Sequence, residues 1–311
     1  MQWQTGIEDF LRFLESDRNA SLNTILAYKN DLGQFAEYLQ QSLPAEADWA
    51  SVLQDHLSDY VDTLAGRGYT TSTIARKIAA IKTLFHWLNQ RGAIHDDPSV
   101  RLKSPRVEKR APRLLTPEEV NRLFEAASAG TQPRSSRDRA LLEVIYSTGM
   151  RVSEAINLRL SDVDLDQSEV RCLGRGNRER RAPLLPRTVA ALREYLSHAR
   201  PELVGNAASD YVFLNPQGAR LTRQAVWQVT RQYSKAADIE GDVTPHTLRH
   251  SRAAHMLDGG EDVRRVQEWL GHANLATTQM YQQRSTDKPA APAARSEALT
   301  VIPPQSAPDA N

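Results

Sequence analysis

The spacing of the apolar residues most restricts what this chain can fold into. Ile7, Phe10, Leu11 and Leu14, then Ile25, Tyr28, Leu32, Phe35 and Leu39, return at intervals of three and four, the period of a helix with one buried face. The pattern predicts four helices in the first hundred residues, at roughly 5–16, 21–42, 50–66 and 70–91. Ser21 and Thr70 or Thr71 suit their N-caps, and Gly66, Gly68 and Gly92 lie near their ends. The same period returns at roughly 117–128, 135–148, 187–199, 222–238, 246–258, 262–270 and 276–282. Only the middle breaks it. Glu169–Leu173 and Arg181–Leu185 read as short strands around the turn Gly174-Arg175-Gly176-Asn177, and Tyr211–Leu214 is a candidate third strand. The fold class that follows is mainly α with a small antiparallel β-sheet.

Punctuation and charge then divide the chain. Residues 1–100 form a helical domain closed by glycine and Pro98, and 101–113 are a basic linker. The linker holds Arg101, Lys103, Arg106, Lys109, Arg110 and Arg113 against Glu108, with two prolines, and is locally +5. A second domain, 114–284, starts at Thr116-Pro117-Glu118-Glu119, where Thr116 and Glu119 can form a capping box and Pro117 suits the first helical position. Residues 285–311 hold five of the 16 prolines and almost no aromatic content, so they read as a disordered Pro/Ala-rich tail. No repeat of solenoid length is present.

No stretch approaches the roughly 18 uninterrupted apolar residues of a membrane span. The N-terminus shows no basic region followed by an apolar signal core, and Cys172, the single cysteine, cannot form an internal disulfide; the expected location is the cytoplasm. The formal net charge of +1 speaks against a nucleic-acid partner only until its distribution is considered. Apart from the linker, cations collect in 171–181 and in 211–237, the latter without a single acid, while the acids are expected largely on helix exteriors and in the tail. Of the 39 Lys plus Arg, only Lys29, Lys77, Lys82, Lys103, Lys109, Lys235 and Lys288 are lysines.

Several chemistries fail on spacing. His246-Thr247-Leu248-Arg249-His250 has the two-histidine separation of a zinc protease, yet Thr247 stands where the general base belongs and Arg249 puts a cation amid the ligands. No phosphate-binding GxxxxGK[ST] loop and no GxSxG nucleophile elbow occur, and Gly174-Arg175-Gly176-Asn177-Arg178 lacks the dinucleotide-binding spacing. What remains is phosphate chemistry by arginine, histidine and a side-chain nucleophile, without a metal or other cofactor. Guanidinium groups offer planar, permanently charged forks matched to phosphate oxygens. Arg151 lies at a helix start after Gly149, and Arg249 shares a helical face with His246.

Four strings carry this further: Thr148-Gly149-Met150-Arg151-Val152-Ser153-Glu154, His246-Thr247-Leu248-Arg249-His250, Leu270-Gly271-His272, and Tyr281. In this order and at these intervals the chain resembles the tyrosine site-specific recombinases of the phage-integrase family, Xer type, over about residues 5–283. The resemblance implies a four-helix SAM-like core-binding domain, an α+β catalytic domain, and strand exchange through a 3′-phosphotyrosyl intermediate on Tyr281. Arg151 and Arg249 would hold the phosphate, His246 would move a proton, and His272 would hydrogen-bond the same phosphate. His250 and His255 are expected as packing or capping residues, and His56, His86, His95 and His198 as surface or core.

Two positions depart from the family. The lysine expected between the second and third strands, the general acid toward the leaving oxygen, is Arg175, whose pKa above about 12 slows proton donation. The enzyme is then slow, routes the proton through His246, or is a DNA-binding relative that has lost its chemistry. After Tyr281 the chain reads Gln282-Gln283 in place of the usual Thr-His, and the Pro/Ala-rich tail replaces a further helix that family members pack on a neighbouring protomer. The partners implied are double-stranded DNA held in a C-shaped clamp and a homo- or heterotetramer with a sister recombinase; activation by a DNA translocase of the FtsK type is left open. Arg76, Lys77 and Lys82 on helix 70–91, Arg223 and Arg231 on helix 222–238, and Arg178 and Arg220 are the candidate DNA contacts. The implied role is chromosome-dimer resolution and segregation, with a mobile-element integrase as the alternative.

Overall fold

The computed structural model describes residues 2–18, 20–107, 113–173, 179–205 and 208–271. Arg175, Arg178, His272 and Tyr281, the helix expected at 276–282 and the tail 285–311 lie outside the described residues. The described residues form two compact units on either side of 108–112.

The first unit is helical, as its apolar period requires: α1 (Trp3–Ser16), α2 (Leu22–Ser42), a 3-10 turn (Trp49–Ser51), α3 (Gln54–Gly66) and α4 (Thr71–Gln90). Ser21 and Thr70 cap α2 and α4 by accepting from the N–H groups of Thr24 and Thr73. The core is aromatic. Phe35 packs against Tyr60 with ring centres 5.0 Å apart, and the 3-10 turn drives Trp49 edge-on against Trp3 at 4.8 Å and Phe85 at 5.7 Å.

A polar pair lies inside this apolar packing. Asp31 of α2 and Lys77 of α4 are each 1% exposed, with Lys77 Nζ 3.1 Å from Asp31 Oδ1 and 2.8 Å from Gln34 Oε1. Arg76 closes on the other Asp31 oxygen from the outside. Lys77 is therefore not a DNA contact: the helical period puts it on the face of Ile74, Ile78 and Ile81, where its ammonium neutralises Asp31. Arg76 is exposed but tethered, and Lys82 is half-buried.

The second unit is wrapped around α6 (Pro133–Thr148), which follows α5 (Pro117–Ser128) and has Ala140, Leu141, Leu142, Val144 and Ile145 fully buried. The capping box at Thr116 and Glu119 forms as expected. Next come α7 (Val152–Asn157), the strands β1 (Val163–Asp164), β2 (Glu169–Leu173) and β3 (Glu179–Pro183), and α8 (Pro186–Glu194), which runs through a π-turn at Tyr195–Ala199 into α9 (Arg200–Val204). The unit closes with α10 (Arg223–Ala236), α11 (Pro245–Asp258) and α12 (Val263–Leu270). The sheet is antiparallel in the order β1-β2-β3, with Val170 opposite both Val163 and Ala182, and Cys172 opposite Arg180.

Two expectations about the sheet need correction. Tyr211–Leu214 is not a strand; it makes isolated bridges at Tyr211 and Leu214, while Val212, Phe213 and Leu214 fill the core and Phe213 stacks on Tyr195 at 5.8 Å. The third strand is instead β1, two residues long and too short to show a period. β3 ends at Pro183 rather than Leu185, because Leu185 caps α8 and Pro186 opens it. A few acids lie inside: Asp31, Asp138, Glu143 and Asp162 are buried, each against a basic side chain. Among the described residues no helix is long and apolar enough to cross a membrane.

Replacing Asp31 by Ala leaves the Lys77 charge buried without its counter-ion. Urea denaturation of the full chain, followed by the fluorescence of the first unit's tryptophans, is expected to show a loss of about 3–5 kcal/mol. A loss near that of an exposed pair, below about 1 kcal/mol, would contradict the burial of the pair.

Candidate active site

The site is built where three chain segments end. Helix α6 stops at Gly149, which adopts the left-handed conformation (φ 58°). A Cβ there would also lie 2.7 Å from the Trp269 ring, so the position requires glycine on two counts. The reversal places Arg151 as N-cap of α7, and the Glu154 side chain, three residues on, folds back onto it. Glu154 Oε2 accepts the Arg151 backbone N–H at 2.7 Å, and its Oε1 accepts from Arg151 Nη1 at 2.9 Å.

Helix α11 begins after Thr244, whose Oγ1 accepts the Thr247 N–H, and carries His246 in its first turn and Arg249 one turn on. Helix α12 is capped by Asp262 and ends at Gly271 (φ 62°). Its last carbonyls meet the arginines. Arg180 Nε of β3 donates to Trp269 O at 2.9 Å, Arg249 Nη2 to Leu270 O, and Arg151 Nη2 to Gly271 O at 2.9 Å. Arg249, only 3% exposed, donates through Nη1 to Gly149 O as well. Arg180 also forks onto Glu154, with Nη1 at 3.2 Å from Oε1 and Nη2 at 2.9 Å from Oε2.

This cluster sets the charge states. Burial alone would raise the Glu154 carboxyl, but the hydrogen bond and charge of Arg180, followed by those of Arg151, outweigh it and hold the group below its ordinary value. The protein packed around the His246 ring, then the charges of Arg249 and Arg151, lower its imidazole and favour the neutral form. His250, stacked on His246 with ring centres 6.3 Å apart, is pushed down to about 4 by burial and then by His246 and Arg249. Burial raises the Cys172 thiol to about 11, so it stays protonated beside Arg180.

Of the residues expected to carry chemistry, Arg151, Arg249 and His246 are brought together; Arg175, His272 and Tyr281 lie outside the described residues, although His272 directly follows Gly271. His250 and His255 are packed as expected, His255 between the Tyr146 hydroxyl at 2.8 Å and Leu115 O at 2.9 Å. Arg220, Arg223 and Arg231 are exposed. Arg220 reaches Asn157, the last residue of α7, and lies over the Tyr211 ring at 5.6 Å. Sequence reasoning gave Glu154 no role of its own and counted Arg180 only among the cations of 171–181. A glutamate three residues after a helix N-cap, placed to accept the N-cap N–H, could have flagged the first; nothing local marks the second among the arginines around it. Among the described residues no cluster of three or more His, Cys, Asp or Glu could hold a metal ion.

Residues 113–288 match the phage integrase family, and residues 7–92 match the phage integrase N-terminal SAM-like domain. The chain is 43% identical to the tyrosine recombinase XerC of Roseiflexus sp. strain RS-1, over 88% of each chain. It is 40% identical to the tyrosine recombinase XerD of Halalkalibacterium halodurans, over 89% of this chain and 92% of that one. The chain belongs to the phage integrase family, as a tyrosine recombinase of the Xer type. The XerH recombinase, solved in a pre-cleavage complex with its difH substrate, shares the tyrosine recombinase fold at a TM-score of 0.70 and 25% identity, over 89% of this chain and 81% of that one.

The depressed histidines give a pH signature. Their folded values lie below the ordinary 6.5 or so, so the unfolded chain binds the extra protons, and the stability they contribute is present above that pH and lost as pH falls toward about 4. An NMR titration should place the His250 midpoint at about 4 and that of His246 below 6.5, with the melting temperature falling across the same window. A His246 midpoint above 6.5 would contradict the placement of the two guanidinium groups beside it.

Proposed function

We propose that the chain cuts and rejoins DNA at a specific site through a 3′-phosphotyrosyl intermediate on Tyr281, in chromosome-dimer resolution and segregation. The observation that carries this reading is the convergence of Arg151 and Arg249 on the end of α12 beside a neutral His246. A phosphodiester under attack gathers negative charge on its non-bridging oxygens, and two fixed guanidinium groups meet that charge without reorganising. Each guanidinium has five N–H donors, and Arg151 uses only part of its set on Glu154 and Gly271.

In the reaction the Tyr281 oxygen bonds to phosphorus, the bond to the 5′ oxygen breaks, and the phenol proton has to be taken up as the leaving oxygen gains one. Neutral His246 is suited to accept a proton and, once charged, to return it. That route matters because Arg175 holds charge but donates slowly. His272, one residue beyond the Arg151-bound Gly271, would add a hydrogen bond to the phosphate. The phosphotyrosyl bond keeps the energy of the diester it replaces, so the hydroxyl of a second strand reverses the step without nucleotide hydrolysis.

The partners in this reading are two duplex sites, bound by four protomers of this chain or of this chain and a sister recombinase, with a DNA translocase of the FtsK type as activator. The location is the cytoplasm, where the chromosome lies. The Xer names of the relatives support the resident role over a mobile-element integrase. Exposed Arg220, Arg223 and Arg231, and Arg178 of the hairpin, are proposed to contact DNA phosphates, with Arg76 and Lys82 from the first unit.

A duplex nicked near the cleavage point traps the intermediate. The wild-type chain is expected to form an adduct that survives denaturation, and Tyr281→Phe none. No adduct on any DNA the chain binds specifically would favour the weakened, DNA-binding relative. Arg175→Lys restores a proton donor at the expected position, so its cleavage rate should equal or exceed wild type, by up to about 100-fold if proton donation is limiting. A total loss would refute the role of that position.

A further inference from the structure

Arg180 has no part in the reaction as proposed above, yet its guanidinium bonds to two other elements of the site. All three of its nitrogens have acceptors: Nε on Trp269 O, and Nη1 and Nη2 on the two oxygens of Glu154. Its side chain is 14% exposed and that of Glu154 6%. Glu154 in turn takes the backbone N–H and Nη1 of Arg151, and Arg151 closes the ring on Gly271 O. The ring joins β3, the first turn of α7 and the last turn of α12. In the chain, Arg175 precedes β3, Arg151 caps α7 and His272 follows Gly271, so one side chain ties together the three segments that carry these residues or adjoin them.

We propose that Arg180 is a positioning residue of the cleavage reaction, whose two-pronged grip on Glu154 and Trp269 O fixes Arg151 and the end of α12 in a single geometry. The inference rests on the recombinase reading given above. With each of its three nitrogens bonded inside the cluster and its side chain only 14% exposed, Arg180 acts through Arg151 and α12 rather than on the phosphate. A lysine would keep the charge, but one ammonium cannot span two carboxylate oxygens and a carbonyl in the same plane. Loss of the fork would let the Arg151 guanidinium shift on its tether, and misplacement by about 1 Å can cost up to about 100-fold in rate.

The test pairs single-turnover cleavage of the nicked duplex with equilibrium binding of the intact duplex, for wild type, Arg180→Gln and Arg180→Lys. The expected result for Arg180→Gln is cleavage slower by about 10- to 100-fold with DNA affinity unchanged. Its acid limb should also move to higher pH: Glu154 is faced by Arg151 from its own helix, Arg180 from β3 and the neutral Cys172 thiol from β2, and without Arg180 burial pushes the carboxyl up. Arg180→Lys should be slower than wild type with the acid limb in place. A residue that only stabilised the fold would leave the limb where it is. Cleavage at the wild-type rate in either variant, or a loss matched by weaker DNA binding, overturns the proposal. If Arg180→Gln does not fold, the rate and limb of Arg180→Lys decide alone. Absence of any wild-type adduct overturns the cleavage reading itself, and this inference with it; a normal wild-type adduct with unaffected variants overturns only the inference.

Discussion

A helix leaves its last four carbonyls without partners of its own, and the C-terminus is the negative end of its dipole. In this chain the three carbonyls at the end of α12 are each taken by a different arginine, from β3, α11 and the N-cap of α7. The catalytic unit depends on that arrangement in both directions. Three guanidinium groups would repel one another if brought together in a largely buried place, and the carbonyls, with the Glu154 carboxylate between Arg151 and Arg180, offset that repulsion. In return α12 is held by only a small core of its own, Val266 and Leu270 packed on Ala253 of α11 with Met256, Leu257 and Trp269 partly buried against them. The bonds that place the helix are thus the same bonds that assemble the cations.

Assembling cations around one carboxylate also divides the charge states usefully. Glu154 is held toward its ionised form although burial opposes it, and His246 toward its neutral form by the protein beside its ring and by the two cations. An anionic ligand would reverse part of the second effect, since a phosphate placed between Arg151 and Arg249 removes positive field from the imidazole. His246 is then poised to accept a proton when the phosphate is present, while in its absence it adds no further positive charge to the cluster. Gly149 makes the proximity achievable, because any side chain at that turn would hold Trp269, and with it the end of α12, away from Arg249.

Periodicity made the helices legible to within a few residues, since burying one face of a helix demands apolar residues every third or fourth position. It failed where the element was short or where burial did not require pairing. The two residues of β1 show no alternation, and the apolar run at Val212–Leu214 looks like a strand but fills the core instead. At the site, Arg151, His246 and Arg249 were legible because short strings carry them; Arg180 and Glu154 were not. Their importance comes from a contact between residues 26 apart and from a carbonyl 89 residues away, and neither separation leaves a mark in a local pattern. Lys77 was misread for the opposite reason: a cation in a basic-looking helix suggests phosphate until the helical period is followed around to the buried face it shares with Ile74 and Ile78.

The near-zero net charge conceals where the acids and cations are. Asp31, Asp138, Glu143, Asp162 and Glu154 each spend their charge on a basic partner inside or at the edge of a core, so those cations are consumed in holding the protein together. Arg220, Arg223 and Arg231 lie in a stretch that has no acid at all, and their charge faces outward. A sum over the chain counts both populations as equal and cancels them. The preference for arginine follows as well: a lysine satisfies a point-like need such as that of Asp31, whereas a site that must tie carbonyls, a carboxylate and an incoming phosphate into fixed directions needs the planar fork. Arginine at 151, 180 and 249 is therefore a geometric requirement before it is an electrostatic one.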